Sequence, residues 1–598
     1  MKSKWYLLFS LVTVLAFAIS ACQPAATTTD TTTAAQPVEL GEKILTLALG
    51  PGDVPTLDPS KAQDTSSIQI AIELFPGLSR PDEVTNADLL GMAAEPWEIS
   101  DDGTVYTFKI MEGIPWVKYD EVAGEVVQVL DDEGNPRTLK AADFEYGFLR
   151  TLNADTASPY SYVLNFVLVG GAEYNAAVTD EERAALRSAV GVKVIDDYTI
   201  QLTFKGPAAY NASIAGMWMG YAQPSWLIEE VGDRWIEPGI IQSYGPYALK
   251  DWVHDYSATL IANPFWPGTD SMPVPKIQEV VLRFIDTPEA FAEYEAGNMD
   301  TSAVDLDNLD RVKADPVLSS EFVVASNFCS YYYGFNTSKA PADDVRVRRA
   351  LSLAVDRQSL IDNVTKGGQI AAQWVENPGL NGAPTLELYP DLGIKYDPEL
   401  AKATLQEYLD EKGVTADSLD LTLLYNTGAG HQRIAEAIQL MWKDTLGVDV
   451  QLANQEWAVY LDMVDSNDAP QIFRLGWCLD YADANNFSKD LFALGGSSNQ
   501  TSPSNPGVPY GGIQWLNPEY EALVAQASSE LDPAARQALY AQAAEILVDQ
   551  DAVIIPIYWY TRNTVTKPYV IRTFSTGGHE HFEKWDIDLE AKAAYQQK

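Results

Sequence analysis

Strand-like and helical patterns alternate along nearly the whole of this 598-residue chain, and no segment repeats. "ILTLALG" (44–50), "TVYTFKI" (104–110), "YTIQLTFK" (198–205) and "EVVLRFI" (279–285) have the two-residue alternation and β-branched content of strands. Residues 141–153, 344–364, 431–447 and 532–551 carry apolar side chains at helical spacing, the last opening with Asp532 as N-cap and Pro533 at the first helical position. A chain of this length exceeds what one core can organise, so the pattern predicts an α/β protein of several domains built on open sheets.

The charge balance narrows the partners. With 40 basic and 84 acidic residues the net charge is −44, which repels phosphate backbones and anionic lipid and argues against nucleic acid as a partner. The first residues indicate export: Lys2 and Lys4, an uncharged apolar run from Trp5 to Ile19, then "SAC". That run is shorter than the roughly 20 residues of a spanning helix. Residues 1–21 therefore read as a signal peptide, and Ile19-Ser20-Ala21-Cys22 resembles the bacterial lipoprotein box, in which the cysteine is lipidated; the alternative is an ordinary signal with a chance cysteine. The Thr/Ala-rich stretch that follows cannot pack and reads as a tether over 22–42. The expected location is the cell envelope, at the outer face of the cytoplasmic membrane or in the periplasm, held by the Cys22 lipid.

Beyond Cys22 only Cys329 and Cys478 remain, each in an aromatic strand-like stretch. In an oxidising compartment they are expected to pair, the alternative being two buried thiols acting as small hydrophobes. Cys478 belongs to "RLGWCLDYAD" (474–483), where Arg474, Gly476, Cys478 and Asp480 would share one face of an extended strand. A cation and an anion then lie on that face at most ~20 Å apart, a separation suited to a zwitterion such as a free peptide.

Six stretches in this order carry a resemblance: "TLDPSKAQ" (56–63), "AAEPWEISDDGTVYTFKIMEGIPW" (93–116), "SYGPYALKDWVHDYSATLIANPFW" (243–266), "YYYGFNTSKAPADDVRVRRALSLAVDRQSLI" (331–361), a block over 423–457, and "FRLGWCLDYAD" (473–483). Together they resemble the extracytoplasmic solute-binding proteins (family 5) of the peptide-transport class of ABC importers, oligopeptide branch. The resemblance implies a two-lobed, three-domain periplasmic-binding-protein fold of the extended type II class. The first lobe would comprise 43–87, 226–328 and 561–598, the inserted domain 88–225 and the second lobe 329–560, with hinges where the chain crosses between lobes.

For the site, the resemblance implies that Asp480 holds a peptide α-ammonium while the Gly476-Trp477-Cys478 backbone pairs with the peptide. Arg474 and His431 would meet its carboxylate, Trp457 and Trp477 would line side-chain pockets, and Tyr160 would close over the ligand. Delivery would be to a two-subunit ABC permease with cytoplasmic ATPases; this chain would act as a monomer, without cofactor, metal or catalysis. Two departures bear on peptide length: the family's acidic residue falls on Gly334, and its carboxylate-binding lysine, near Thr365, falls one position on at Lys366. Bland readings stand beside these: Asp480 or Arg474 in internal ion pairs, His431 capping the helix it precedes, the tryptophans in the core. A non-peptide solute (oligosaccharide, metal chelate or haem) is the functional alternative. A Cys478–His431 thiol hydrolase is disfavoured by an oxidising compartment, and His579 and His581, on one face of a strand or in an exposed polar terminus, lack a third clear metal ligand.

Overall fold

Three sheets organise the chain in the computed structural model, which describes residues 42–597 apart from 503 and 531. The signal peptide, Cys22 and nearly all of the tether lie outside the described residues. In the first sheet Ile44–Ala48 runs parallel to Glu279–Arg283, followed by Ser257–Ala262 and Tyr247–Val253 in antiparallel order. Its alternation is visible in Ile44–Ala48, where Leu45 and Leu47 point inward. A second, antiparallel sheet joins Glu98–Ile99, Val105–Lys109, Thr199–Thr203 and Val192–Asp196. Its inward residues Tyr106, Phe108, Ile200 and Leu202 enter the same core as Leu45 and Leu47.

The largest sheet has the order Thr301–Ala303, Ile554–Thr566, Phe322–Phe335, Ile472–Cys478, Leu421–Asn426, Val450–Gln455, with Ile370–Ala371 pairing to Ile554–Thr566. Three successive tyrosines show why its central strands read as continuous apolar runs. Tyr331 and Tyr333 enter the core on one face and Tyr332 the core on the other, so both faces are covered and neither can be polar. The helix Ala429–Leu446 covers one face with Ile434, Ile438 and Trp442, four residues apart and all buried. It stops at Gly447, whose φ of 73° is the left-handed conformation glycine adopts without strain. Each such apolar side chain contributes about 1.5–3 kcal/mol relative to exposure.

Two long strands, Phe322–Phe335 and Ile554–Thr566, pair from Phe322↔Val565 to Gly334↔Ile554 with an irregularity between Ser326 and Ser330, opposite Tyr560. The lobe boundaries expected at 328/329 and 560/561 thus fall inside paired strands, at this bulge. Some elements depart from expectation. The helix expected over 344–364 is interrupted: Val345–Leu353 ends, and Asp356 caps a new turn by accepting from the Ser359 N–H, followed by a π-turn at Ile361–Thr365. The helix beginning with Pro533, capped by Asp532, likewise ends in a π-turn at Ile546–Gln550.

Candidate functional site

The strand Ile472–Cys478 pairs along its full length with Phe322–Phe335, from Phe335↔Ile472 to Cys329↔Cys478. On its other edge Leu421–Asn426 reaches only Ile472 and Phe473. From Arg474 to Cys478 no strand among the described residues covers that second edge. Cys329 and Cys478 are joined by a disulfide, with their Cα atoms 4.0 Å apart. This close approach marks a non-hydrogen-bonded pair, whose N–H and C=O groups point away from the partner strand. At two-residue steps the same holds for Gly476 and Arg474, and the Arg474 carbonyl indeed accepts from the Tyr460 hydroxyl on the open side. Gly476 and Cys478 therefore present amide donors and acceptors along an uncovered edge.

The strand ends at Cys478, so Asp480 lies beyond it, not on its face as expected. The cause is Asn486, fully buried in the short helix Ala484–Ser488 that Asp483 caps. Its Oδ1 accepts from the Asp480 backbone N–H and from Trp477 Nε1, both at 3.0 Å, and its Nδ2 donates to Asp480 Oδ2 at 2.9 Å. The Tyr160 hydroxyl donates to Asp480 Oδ1 at 3.4 Å. Tyr160 also stacks on Trp477, with centroids 6.5 Å apart and planes 9° from parallel. Among the described residues no cation pairs with Asp480. Burial pushes its carboxyl up to about 8, and neighbouring Asp490 pushes the same way, against the Asn486 and Tyr160 hydrogen bonds.

At the other end Arg474 is 7% exposed. Nη1 donates to Asn426 Oδ1 at 3.0 Å and Nη2 to the Tyr560 hydroxyl at 2.7 Å, while the guanidinium lies 4.5 Å over the Tyr331 ring. Its Nε is buried without a partner, and no carboxylate among the described residues pairs with it. Gly476 makes this arrangement possible, because a Cβ there would stand 3.1 Å from Tyr560 Oη and 3.3 Å from Arg474 Nη2. His431 lies inside the first turn of Ala429–Leu446, not before the helix as expected, with Nδ1 3.3 Å from the Tyr331 hydroxyl. Burial, then the charge of Arg474, holds its imidazole well below the ordinary histidine range, so it is neutral.

Of these residues, Asn426, His431 and Tyr560 line one cavity and Asp480 another, while Arg474, Gly476, Trp477, Cys478 and Tyr160 line neither. A cavity of about 660 Å³ is lined by Leu47, Ser66 and Asp286 on one side and by Asn426, His431 and Tyr560 on the other. Asp480 faces a separate one of about 80 Å³ with Trp218 and Tyr481. Trp457 likewise lines neither; it stacks on Tyr460, centroids 5.9 Å apart. Asn426, Tyr460, Asn486 and Tyr560 were not singled out from sequence. The alternation of "IYWYTR" was a usable signal for Tyr560, while nothing local marks Asn486. At Gly334 a Cβ would stand 2.5 Å from the Phe473 ring, so an acidic side chain has no room there. Lys366 turns from the larger cavity to pair with Asp310 at 2.6 Å, leaving Thr365 at its wall. His579 and His581 lie in coil, not in a strand or an exposed tail. His581 is buried with Nδ1 against Arg80, and burial lowers the pKa of both rings.

Comparison with known proteins bears on this geometry. The chain is 31% identical over 540 residues to the periplasmic oligopeptide-binding protein OppA of Salmonella typhimurium, covering 89% of this chain and 90% of that one. It is 32% identical over 520 residues to the oligopeptide-binding protein OppA of Bacillus subtilis, covering 85% and 86%. The crystal structure of a periplasmic oligopeptide-binding protein from Borrelia burgdorferi superposes with a TM-score of 0.78 at 24% identity, covering 92% of this chain and all of that one. Residues 89–499 match the family described as bacterial extracellular solute-binding proteins, family 5 Middle, and the chain belongs to that family.

Proposed function

We propose that this protein is a lipid-anchored extracytoplasmic receptor that captures oligopeptides between two closing lobes and hands them to a two-subunit ABC permease powered by cytoplasmic ATPases. One observation carries the reading: Arg474 and Asp480 bracket an uncovered strand edge, and neither has an opposite charge among the described residues. A buried charge left unpaired is costly, and a peptide supplies what is missing at both ends. Its ammonium meets Asp480, its backbone pairs with Gly476 and Cys478, and its carboxylate meets Arg474 and the neutral His431. Backbone pairing gives affinity without reading sequence. Trp477 and, through Tyr460, Trp457 shape side-chain pockets, and Tyr160 closes over the amino terminus. A neutral sugar would leave the Arg474 charge unpaired and would bring Asp480 no ammonium.

The lobes in this reading are 43–87 with 226–328 and 561–598, and 329–560, with 88–225 inserted; the bulge opposite Tyr560 is the hinge. The chain performs no chemistry and acts as a monomer. The kinship with proteins named for oligopeptide binding supports the peptide class. The test is mass spectrometry of what the purified protein releases on unfolding. Mixed short peptides with free amino termini are expected; a single non-peptide solute would displace the reading. For the anchor, Cys22→Ser should move the protein from the membrane to the soluble fraction.

A further inference from the structure

His431 and Arg433 sit two residues apart on the helix Ala429–Leu446, and both line the 660 Å³ cavity. Arg433 also lines a second cavity of about 470 Å³, and Leu306 and Asp307 are likewise shared by the two. Across this common wall Arg433 Nη1 and Nη2 donate to Asp307 Oδ1 and Oδ2, a two-pronged ion pair. The side chains of Arg433 and Asp307 are 41% and 66% exposed. The second cavity has a mixed lining, with Asp310, Lys366 and Glu436 beside Val364 and Leu440.

A peptide fixed at Asp480 and paired with Cys478 and Gly476 runs toward Arg474, whose partners Asn426 and Tyr560 line the larger cavity. Six residues of extended chain cover roughly 20 Å, so a short peptide ends near Arg474 and His431 and a longer one must continue past them. The wall it meets next to His431 is held by an exposed ion pair, and such pairs are weak and easily exchanged. Exchanging one carboxylate for another on Arg433 leaves the charge count unchanged. Water beside the charged residues of the second cavity can hydrate polar side chains that arrive, and Val364 and Leu440 can meet apolar ones.

We propose that the Asp307–Arg433 pair is a gate through which the carboxyl-terminal part of a long peptide passes into the second cavity, its terminal carboxylate replacing Asp307 on Arg433. The inference rests on the peptide reading and names a length class within it. It is tested by measuring Kd for a tetrapeptide and a decapeptide, each with a free and an amidated carboxyl terminus, on the wild type, Arg433→Gln and Asp307→Asn. In Arg433→Gln the affinity for the decapeptide relative to the tetrapeptide should fall about fivefold. Amidation of the decapeptide should cost the wild type as much, and Asp307→Asn should shift the ratio the other way. A ratio unchanged in both variants, or a decapeptide indifferent to amidation, overturns the gate while leaving the peptide reading intact. A wild type that binds neither peptide overturns the reading and the gate together.

Discussion

Asp480→Asn preserves shape and the hydrogen bond from Asn486 Nδ2 while removing one charge. Deleting one partner of a buried, hydrogen-bonded charge pair costs about 2–5 kcal/mol; at about 3 kcal/mol the peptide Kd rises roughly 150-fold. A second signature comes from protons. The Asp480 carboxyl, pushed up to about 8 mainly by burial, is mostly protonated at pH 7 in the unliganded protein. So is a peptide α-amino group, whose ordinary pKa is about 8. The complex keeps one proton between the two groups, so about 0.8 of a proton leaves per peptide bound at pH 7. Below pH 8 the unbound partners together hold more than one proton, approaching two as pH falls, and affinity falls toward tenfold per unit. Above pH 8 they hold fewer than one, binding takes up a proton, and affinity falls again. The maximum lies near pH 8. Calorimetry between pH 6 and 9, in buffers of different ionisation heat, reads the release directly, and Asp480→Asn should abolish it. A variant within about threefold of wild type, or tight binding with no proton release in the wild type, would refute the reasoning.

The same carboxyl predicts an effect on the unliganded fold. A carboxyl whose folded pKa is raised binds more protons folded than unfolded between about pH 4 and 8, so it lowers stability as pH rises through that window. The thermal midpoint of Asp480→Asn relative to wild type should therefore be higher at pH 8 than at pH 4. Asn486→Ala takes from the Asp480 N–H, its carboxyl and Trp477 Nε1 their common partner; these groups are half-buried and the carboxyl keeps Tyr160, so the loss is about 1–3 kcal/mol in all, and both thermal midpoint and peptide affinity should drop. The Cys329–Cys478 bridge closes a loop with a sequence separation of 149, so Cys329→Ala with Cys478→Ala should cost about 2–5 kcal/mol in denaturant unfolding. Gly334→Glu drives a side chain into Phe473 and should destabilise by about 1–3 kcal/mol, without creating a new ligand contact.

Much of this site could be read from residues close together in sequence. The alternation through Arg474, Gly476 and Cys478 placed three backbone or side-chain groups on one strand, and the aromatic setting of Cys329 and Cys478 marked neighbouring strands. What escaped depends on contacts distant in sequence or on competition between local bonds. Asp480 leaves the strand because Asn486 takes its N–H, a side-chain capture that period-two patterning cannot register. Val345–Leu353 stops because Asp356 offers a cap that outcompetes continuation, although the apolar spacing runs on. Arg474 and Tyr560, 86 positions apart, meet only once the sheet has formed. The separation of Asp480 from the larger cavity is likewise a property of packing: along the segment 577–580, Gly577 and His579 line the smaller cavity and Gly578 and Glu580 the larger.

The central claim is that Asp480 waits for an α-ammonium. Calorimetric titration of the soluble body, residues 40–598, with tri- to hexapeptides and with the same peptides N-acetylated tests it most directly. The account predicts tight binding of the free peptides and loss of binding on acetylation. Equal binding of both sets would contradict it.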